Sequence, residues 1–388
     1  MIKIRFNMHN IINIFCRFFL LGLVSFGGPI AHLAYFRKTF VEKLKWLEEE
    51  EYSKFVALSH FLPGPSSSQV GFCIGLEKGG LMGGITAFVA FTFPSFILLY
   101  ILAIFNISQN ENIHILNIIT GLKLFALVIV SDAIITMFKN FCKNKTTKFI
   151  FVCSTLVLIF FSSLYVQFIV LITAAIISSI FLKERIKEKT VLKKKIHLFP
   201  FILFLFLLFI LPFFTYLNNE IKIFSDFFSA GSLVFGGGHV VLPLLKEQLS
   251  HFISDENFIL AYSFAQAVPG PMFSIASYLG ASYFKESVFL GSLLATLAVF
   301  LPGFLLILSF KESFQSISKQ KNILNAIKGV NAAVVSLLSA VLITTLYPSA
   351  IHSYYDLIQA LIALIVLRVF KIPILYMIST FVLLALIF

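Results

Sequence analysis

Charged residues are scarce in this sequence. Asp, Glu, Lys and Arg make up only 12% of the 388 residues, whereas roughly a quarter is usual in a soluble globular protein. Hydrophobic residues make up 59%, and the mean hydropathy is +0.96. The composition therefore excludes a soluble enzyme and predicts a protein of the lipid bilayer, with room for about ten to thirteen helices of about 20 residues.

Cysteine is also scarce, and motifs for catalysis are absent. The four cysteines show no CxxC or CxxH spacing, so neither a disulfide framework nor a zinc site is indicated. The sequence has no HExxH, Walker, GxSxG or dinucleotide motif. The glycine-rich run 79–84 lacks the lysine of a phosphate loop and predicts a tight turn. We expect no enzyme activity, no cofactor and no metal.

Glycine is missing from two long stretches. All 20 glycines fall within 22–121 or 231–329, and none occurs in 122–230 or after 329. In a membrane, a helix broken by Gly and Pro is tolerated only where the break is buried or lines a polar cavity. The glycine-containing stretches are therefore candidate sites, and the rest of the chain is expected to form plain helices.

The two glycine-containing stretches are predicted to be copies of each other. Four landmarks recur at offsets of 206 to 209 residues: Phe26-Gly27-Gly28-Pro29 as Phe235-Gly236-Gly237-Gly238, Pro63-Gly64-Pro65 as Pro269-Gly270-Pro271, Pro94 as Pro302, and Gly121 as Gly329. This regularity indicates an internal duplication. Since an apolar segment precedes the first landmark in both copies, the first 25 residues are expected to be kept rather than cleaved as a signal peptide.

Basic loops fix the expected orientation. The loops 139–148 and 183–195 are rich in lysine and are predicted to be cytoplasmic, whereas 218–220 is predicted to lie outside. The first copy then begins inside, with a cytoplasmic N-terminus, and the second begins outside. Such inverted topology is typical of secondary transporters.

The predicted fold is an all-α polytopic membrane protein with two inverted repeats, whose helices are broken at the Gly/Pro motifs. The broken segments are either re-entrant hairpins or helices that cross fully. About nine full spans are expected, with four hairpin segments: near 81–105, 113–138, 149–165, 168–182, 197–217, 287–310, 323–347, 354–370 and 372–388. The predicted domains are 1–148 (N-terminal repeat), 149–220 (linking helices with the basic loop 183–195), 221–350 (inverted C-terminal repeat) and 351–388 (C-terminal hairpin).

The breaks are the predicted anion site. Helix N-termini carry a partial positive charge and unpaired N–H groups, which favour an anion. The strongest candidate is the second break, because Ser66, Ser67 and Gln69 add donors suited to a tetrahedral oxyanion. The predicted binding set is Gly27, Gly28, Pro29, Pro63, Gly64, Pro65, Ser66, Ser67, Gln69, Gly236, Gly237, Gly238, Pro269, Gly270, Pro271 and Lys123. The alternative is that the glycines permit close helix packing and the prolines merely kink helices.

Ionisable residues within apolar segments are functional candidates. Lys123 is either an anion ligand or a side chain that snorkels to the interface. Asp132, His32 and His239 are candidates for coupling transport to protons. For the histidines, a hydrogen-bonded structural role is the alternative.

The residues 25–37 (SFGGPIAHLAYFR) and 61–71 (FLPGPSSSQVG), with 235–243 and 268–271 in the second half, resemble the chromate ion transporter family in its long, two-domain form. The resemblance covers about 12–138 and 224–347. It implies a bacterial inner-membrane transporter that expels chromate, with sulfate as a competing analogue. His60 departs from the glutamine that many members carry, and Asp132 lies in a segment that is usually less acidic.

Three functions follow as hypotheses. The first is chromate efflux, driven by membrane potential or exchange, by alternating access between the repeats. The second is uptake of sulfate or another oxyanion coupled to a cation gradient, and the third is a membrane structural subunit without transport. The expected partners are the oxyanion and the lipid bilayer, a homodimer is left open, and no nucleic acid is expected, because the basic residues lie in short runs between apolar segments.

The orientation is testable with reporter fusions. Fusions at Lys145 and Lys189 should report cytoplasm and one at Asn219 should report periplasm, because positively charged loops stay inside. Finding positions 189 and 219 on the same side would remove the argument for inverted repeats.

Overall fold

The computed structural model describes residues 8–108, 113–161, 163–182, 196–235, 241–314, 320–370 and 372–387. Within these ranges the chain is helical and has no β-strand. The helices are α1 Met8–Val24, α2 Gly28–Phe36, α3 Glu49–Phe61, α4 Ser66–Ser108, α5 Ile113–Phe141, α6 Lys145–Phe160, α7 Leu164–Phe181, α8 Leu198–Phe209, α9 Asn219–Ser232, α10 Val241–Leu249, α11 Asp255–Ala267, α12 Ile275–Tyr283, α13 Val288–Phe310, α14 Lys321–Val341, α15 Tyr354–Phe370 and α16 Ile374–Ile387.

Shorter helical segments join some of these helices. Two are π-helical, Arg37–Lys43 after α2 and Leu342–Leu346 after α14, and the second continues into a helical turn at Tyr347–Ala350. Three are 3₁₀-helical: Leu211–Phe214, Met272–Ser274 and Lys285–Ser287.

Four helical stretches are long and apolar enough to cross a membrane: Ser66–Phe105, Asn117–Phe141, Lys285–Phe310 and Asn322–Ala350. They overlap the spans predicted near 81–105, 113–138, 287–310 and 323–347. By contrast α8, where the sequence predicts a span over 197–217, has 12 residues and is about 18 Å long, against about 30 Å of hydrocarbon. The total of nine full spans and the inverted topology stay predictions.

The outward faces of the helices are apolar. The side chains of Phe199, Ile180 and Val369 are 80%, 64% and 65% exposed. Large exposed apolar surfaces of this kind are uncommon in water-soluble proteins. These apolar faces are suited to contact with lipid.

The long helix α4 reverses direction within its length. Gly79 (φ −141°) and Gly80 (φ 64°, ψ −157°) are non-helical. A methyl group at Gly75 would collide with the carbonyl oxygen of Gly83, and one at Gly83 with that of Gly75. Eight residues along a straight helix are about 12 Å apart, so this close contact requires a tight turn, which confirms the turn predicted at 79–84.

The helices form two packing units, of which the first contains residues 1–110, 198–233 and 264–309. In this unit α4 packs against α1, α2, α3 and α12. The rings of Phe18, Phe36 and Phe91 are buried together, with centroids 5.6 Å (Phe18 to Phe36) and 5.1 Å (Phe36 to Phe91) apart. These aromatic contacts bind α1 and α2 to α4.

The second packing unit contains residues 111–197, 234–263 and 310–388. In it, α5 packs against α15 and α16, whereas α14 packs against α6 and α7. A methyl group at Gly121 would lie 2.6 Å from the carbonyl oxygen of Phe381, and Gly329 approaches the carbonyl of Ala174 in the same way. Gly121 thus lets α5 pack closely against α16 of the C-terminal hairpin, and Gly329 lets α14 pack closely against α7 of the linking helices.

The turn in α4 should depend on the absence of side chains. Gly83→Ala places a methyl group against the Gly75 carbonyl, and we expect it to lower the free energy of unfolding by about 1 to 3 kcal/mol. Thermal unfolding of the purified protein in detergent measures this. In the control Gly79→Ala, the methyl group meets only the flexible ends of Ile14 and Ile11, so an equal loss in both variants would contradict the prediction.

Candidate functional site

Three breaks in the helices lie in the first packing unit. The first break separates α1 from α2 at Ser25–Gly27, the second separates α3 from α4 at 62–65, and the third follows α11 at 268–271. These are the positions predicted from the first FGGP motif and both PGP motifs. The counterpart motif residues Gly236, Gly237 and Gly238, with His239, lie outside the described residues.

The first break ends α1 and starts α2 without a side-chain cap. Gly27 precedes α2 in the left-handed conformation (φ 98°), and Gly28 follows at φ 76°. Pro29 occupies the first turn of α2, where its missing N–H costs nothing and its fixed φ suits a helix. The motif therefore forms a sharp helix start.

The second and third breaks have the same local structure. Gly64 and Gly270 have φ values of 121° and 111°, which residues other than glycine rarely adopt. A methyl group at Gly64 would lie 2.9 Å from Cα of Gly303, and one at Gly270 would lie 2.8 Å from Oγ of Ser95. Both PGP glycines are thus required by conformation and by close packing.

Each of these close approaches joins a break in one copy to a helix of the other copy. Gly303 follows Pro302 on α13, and Ser95 follows Pro94 on α4. The first copy's PGP break therefore packs against the second copy's proline-containing helix, and the second copy's break packs against that of the first. The recurring prolines, which the sequence marked only as landmarks of duplication, mark the surfaces that receive the breaks.

The carbonyl oxygen of Ser25 connects the three breaks. It accepts hydrogen bonds from the backbone N–H of Gly270 (2.9 Å) and from Nε2 of His32 (3.1 Å). Nδ1 of His32 lies 3.3 Å from Oγ of Ser67, in the first turn of α4. One backbone carbonyl and one imidazole thus join all three broken segments.

The hydrogen bonds fix the tautomer of His32. A carbonyl oxygen can only accept, so Nε2 carries a proton, and in the neutral ring Nδ1 accepts the hydroxyl proton of Ser67. The side chain is fully buried, and its ring meets Phe91 edge-on at 5.4 Å. The geometry therefore gives His32 the hydrogen-bonded structural position that the sequence left as an alternative to coupling.

Gln69 holds the second break against α13. Its Nε2 donates to the carbonyl oxygens of Pro63 (2.9 Å) and Gly303 (3.3 Å). Its backbone N–H donates to the carbonyl of Pro65 (2.9 Å). The side chain is fully buried and connects two segments that are far apart in the sequence.

Several buried polar atoms at this place have no hydrogen-bond partner among the described residues. At the start of α4 they are Oγ of Ser66, Oγ of Ser68 and Oε1 of Gln69, and these side chains are 6%, 2% and 0% exposed. In the same packing unit Ser25, Thr92 and Thr296 also have unpaired hydroxyls. Leaving such a group unpaired costs about 1 to 3 kcal/mol, so the start of α4 is suited to a polar ligand.

The third break differs from the second because its serine is already paired. Oγ of Ser95 donates to the carbonyl of Thr92 (2.9 Å), so Ser274 donates to Oγ of Ser95 (2.7 Å). The first N–H groups of α4 also have no acceptor within the helix and give that end a partial positive charge. At the second break, by contrast, the unpaired hydroxyls of Ser66 and Ser68 lie together with the first N–H groups of α4.

The two intramembrane charges have ion-pair partners in the second packing unit. Nζ of Lys123 lies 2.5 Å from a carboxylate oxygen of Glu256, and Asp132 lies 3.0 Å from Nη1 of Arg368. The sequence did not reveal these partners. Their roles as anion ligand and coupling group stay predictions.

Among the residues that the structure describes, no group of three or more His, Cys, Asp and Glu side chains is placed to hold a metal ion. The groups at the three breaks are hydroxyl, amide and backbone groups together with the imidazole of His32. Donors of this kind can bind and orient an anion.

The chain is similar to known transport proteins over most of its length. A chromate transport protein of Cupriavidus metallidurans is 24% identical over 90% of this chain and 84% of its own. A probable chromate transport protein of Synechococcus elongatus is 26% identical over 90% of this chain and 87% of its own. An uncharacterized transporter of Methanocaldococcus jannaschii is 28% identical, covering 87% and 85%.

No solved structure matches the chain significantly. The family described as chromate transporter matches it twice, over residues 12–180 and 221–387, and its members are transport proteins rather than enzymes. With its apolar helices, the chain is a multi-pass membrane protein, and the double match over most of its length confirms the resemblance: the chain belongs to the chromate transporter family.

Proposed function

We propose that this protein carries a chromate-type oxyanion across the bacterial inner membrane and that the start of α4 binds the anion. The observation that carries the proposal is the pair of buried hydroxyls, Ser66 and Ser68, without a hydrogen-bond partner in the described part of the chain. They lie at a helix end that carries partial positive charge. A tetrahedral oxyanion supplies several acceptor oxygens to such donors.

In this proposal the Gly and Pro residues shape the site. Gly27, Gly28 and Pro29 form the helix start that presents His32, and His32 in turn holds Ser67. Pro269, Gly270 and Pro271 form the third break, whose Gly270 N–H fixes the carbonyl of Ser25. Lys123 and Asp132 have ion-pair partners, so we assign them to packing of the second unit rather than to the anion.

The proposed direction is outward. Moving one negative charge out of a negative interior releases about 2.3 kcal/mol per 100 mV, so efflux of an oxyanion needs no further energy source. The proposed mechanism is alternating access between inverted repeats. The contacts of Gly64 with Gly303 and of Gly270 with Ser95 support equivalent roles for the two copies, because the break of each copy packs against the proline-containing helix of the other.

Two other functions compete. Uptake of sulfate or another oxyanion would work against the same electrical term and would need a coupled cation. A structural subunit would use the glycines for packing alone and would give no flux. The unpaired buried donors favour transport over the structural role, because packing by itself gives no reason to bury them.

The serines should carry the binding energy. The double variant Ser66→Ala, Ser68→Ala removes two donors, and hydrogen bonds to charged groups are worth about 1.5 to 3 kcal/mol each, so KM for chromate should rise roughly 100-fold or more. Initial rates in proteoliposomes measure this. Ser282→Ala is the matched control, because that buried hydroxyl donates only to its own helix at the carbonyl of Tyr278; equal KM values in the two variants would remove the site.

The direction should be visible in everted membrane vesicles. Radiolabelled chromate should enter them faster when the interior is positive than when it is negative, because efflux from the cell becomes uptake into the vesicle. Sulfate in excess should slow this uptake, and vesicles without the protein give the background. Strict dependence on an imposed proton or sodium gradient, with no flux driven by potential alone, would favour the uptake permease, and the absence of flux from correctly inserted protein would favour the structural subunit.

A further inference from the structure

The amide of Gln69 has a fixed orientation. Nε2 contacts two carbonyl oxygens, those of Pro63 (2.9 Å) and Gly303 (3.3 Å). Carbonyls can only accept, so the amide cannot be reversed without placing oxygen against oxygen. The other arm of the amide, Oε1, is therefore a true acceptor, and it is buried without a donor among the described residues.

The unpaired groups at the start of α4 are thus of two kinds. Ser66 and Ser68 offer hydroxyl donors, and the first turn of α4 offers backbone N–H donors. Gln69 Oε1 can only accept. A fully deprotonated oxyanion has acceptors alone, so it would satisfy the serines while leaving Oε1 desolvated beside negative charge.

We propose, resting on the oxyanion site proposed above, that the transported species is a singly protonated oxyanion whose O–H donates to Oε1 of Gln69. Its remaining oxygens accept from Ser66, Ser68 and the helix N-terminus. No covalent bond changes: the proton arrives on the substrate and leaves on it. Transport is then coupled to a proton without a titrating side chain.

The charged and titratable groups near the site agree with this assignment. His32 of α2 is occupied between Ser25 and Ser67, and His60 of α3 lies three residues before Pro63. On α13, which supplies the Gly303 carbonyl, no residue of Val288–Phe310 is ionisable. Along α1, α4 and α12, the ionisable groups closest in sequence to the breaks are Arg17, Cys73 and Tyr278; Arg17 is exposed and Cys73 is buried.

Three oxyanions of similar shape test whether the transported species must carry a proton. Sulfate has no proton near neutral pH, chromate gains one as the pH falls below neutral, and inorganic phosphate keeps an O–H throughout the tested range. Initial rates for each are measured in proteoliposomes at micromolar concentration, fixed potential and pH from 6 to 8.5. Competition by unlabelled phosphate and sulfate is measured in parallel.

We expect the chromate rate to fall with rising pH as its protonated fraction falls, by about tenfold per pH unit on the alkaline side. Sulfate should be carried at least about tenfold more slowly than chromate at pH 6, without pH dependence, because it leaves Oε1 unpaired. Phosphate should compete better than sulfate at every pH. A chromate rate that does not change with pH, or sulfate that matches chromate, would overturn the inference.

The comparison separates the inference from the proposed function. If chromate and sulfate rates change with pH in parallel, the titrating group belongs to the protein, and the inference is wrong while the oxyanion site stands. If none of the three anions is carried by correctly inserted protein, the proposed function itself fails. His60→Gln is the control for the exposed histidine and should keep the chromate profile of the wild type.

A substitution at Gln69 tests the acceptor itself. Gln69→Lys keeps donors toward the carbonyls of Pro63 and Gly303 but has no acceptor, so the rate ratio of sulfate to chromate should rise about tenfold or more. Correct insertion is checked by size-exclusion chromatography in detergent. An unchanged ratio in the folded variant would contradict the proposal, and the wild-type anion series decides the question if the variant does not fold.

Discussion

The arrangement of the proposed site depends on one backbone acceptor, the carbonyl oxygen of Ser25. It lies where α1 has ended, so its usual helical partner is missing, and it accepts from His32 and from the N–H of Gly270 instead. The first contact reaches Ser67 of the second break through the imidazole, and the second contact reaches the other copy of the repeat. Because a broken helix in a membrane must pair its free backbone groups within the protein, each break here supplies what another break lacks.

The proposed site contains polar groups that are hydrogen-bonded within the protein and polar groups that have no partner, and we expect these two sets to have different roles. The backbone at the breaks is held by Gln69 Nε2, His32 and Gly270. The hydroxyls of Ser66 and Ser68 and the oxygen of Gln69 are left over. A frame fixed by its own hydrogen bonds holds the remaining polar groups in defined positions, which lowers the cost of ordering them around a ligand.

The sequence predicted the breaks well, because Gly64 and Gly270 are required by local backbone conformation, which a motif reports directly. It also identified the tight turn near Gly80. It did not predict the role of the Ser25 carbonyl, since every residue has a backbone carbonyl and a sequence motif does not show which one accepts a hydrogen bond. The contact of Gln69 with Gly303, and the partners of Lys123 and Asp132, join residues distant in the chain; only the fold brings them together.

The packing of α5 against α15 and α16 has a consequence for biosynthesis. The ribosome delivers α5 early, yet α16, which covers Gly121, follows much later in the chain. A face of α5 must therefore stay uncovered, or be shielded by lipid and insertion factors, until α16 has been synthesised. The second packing unit can be completed only then, and a truncation before α15 would leave α5 without these neighbours.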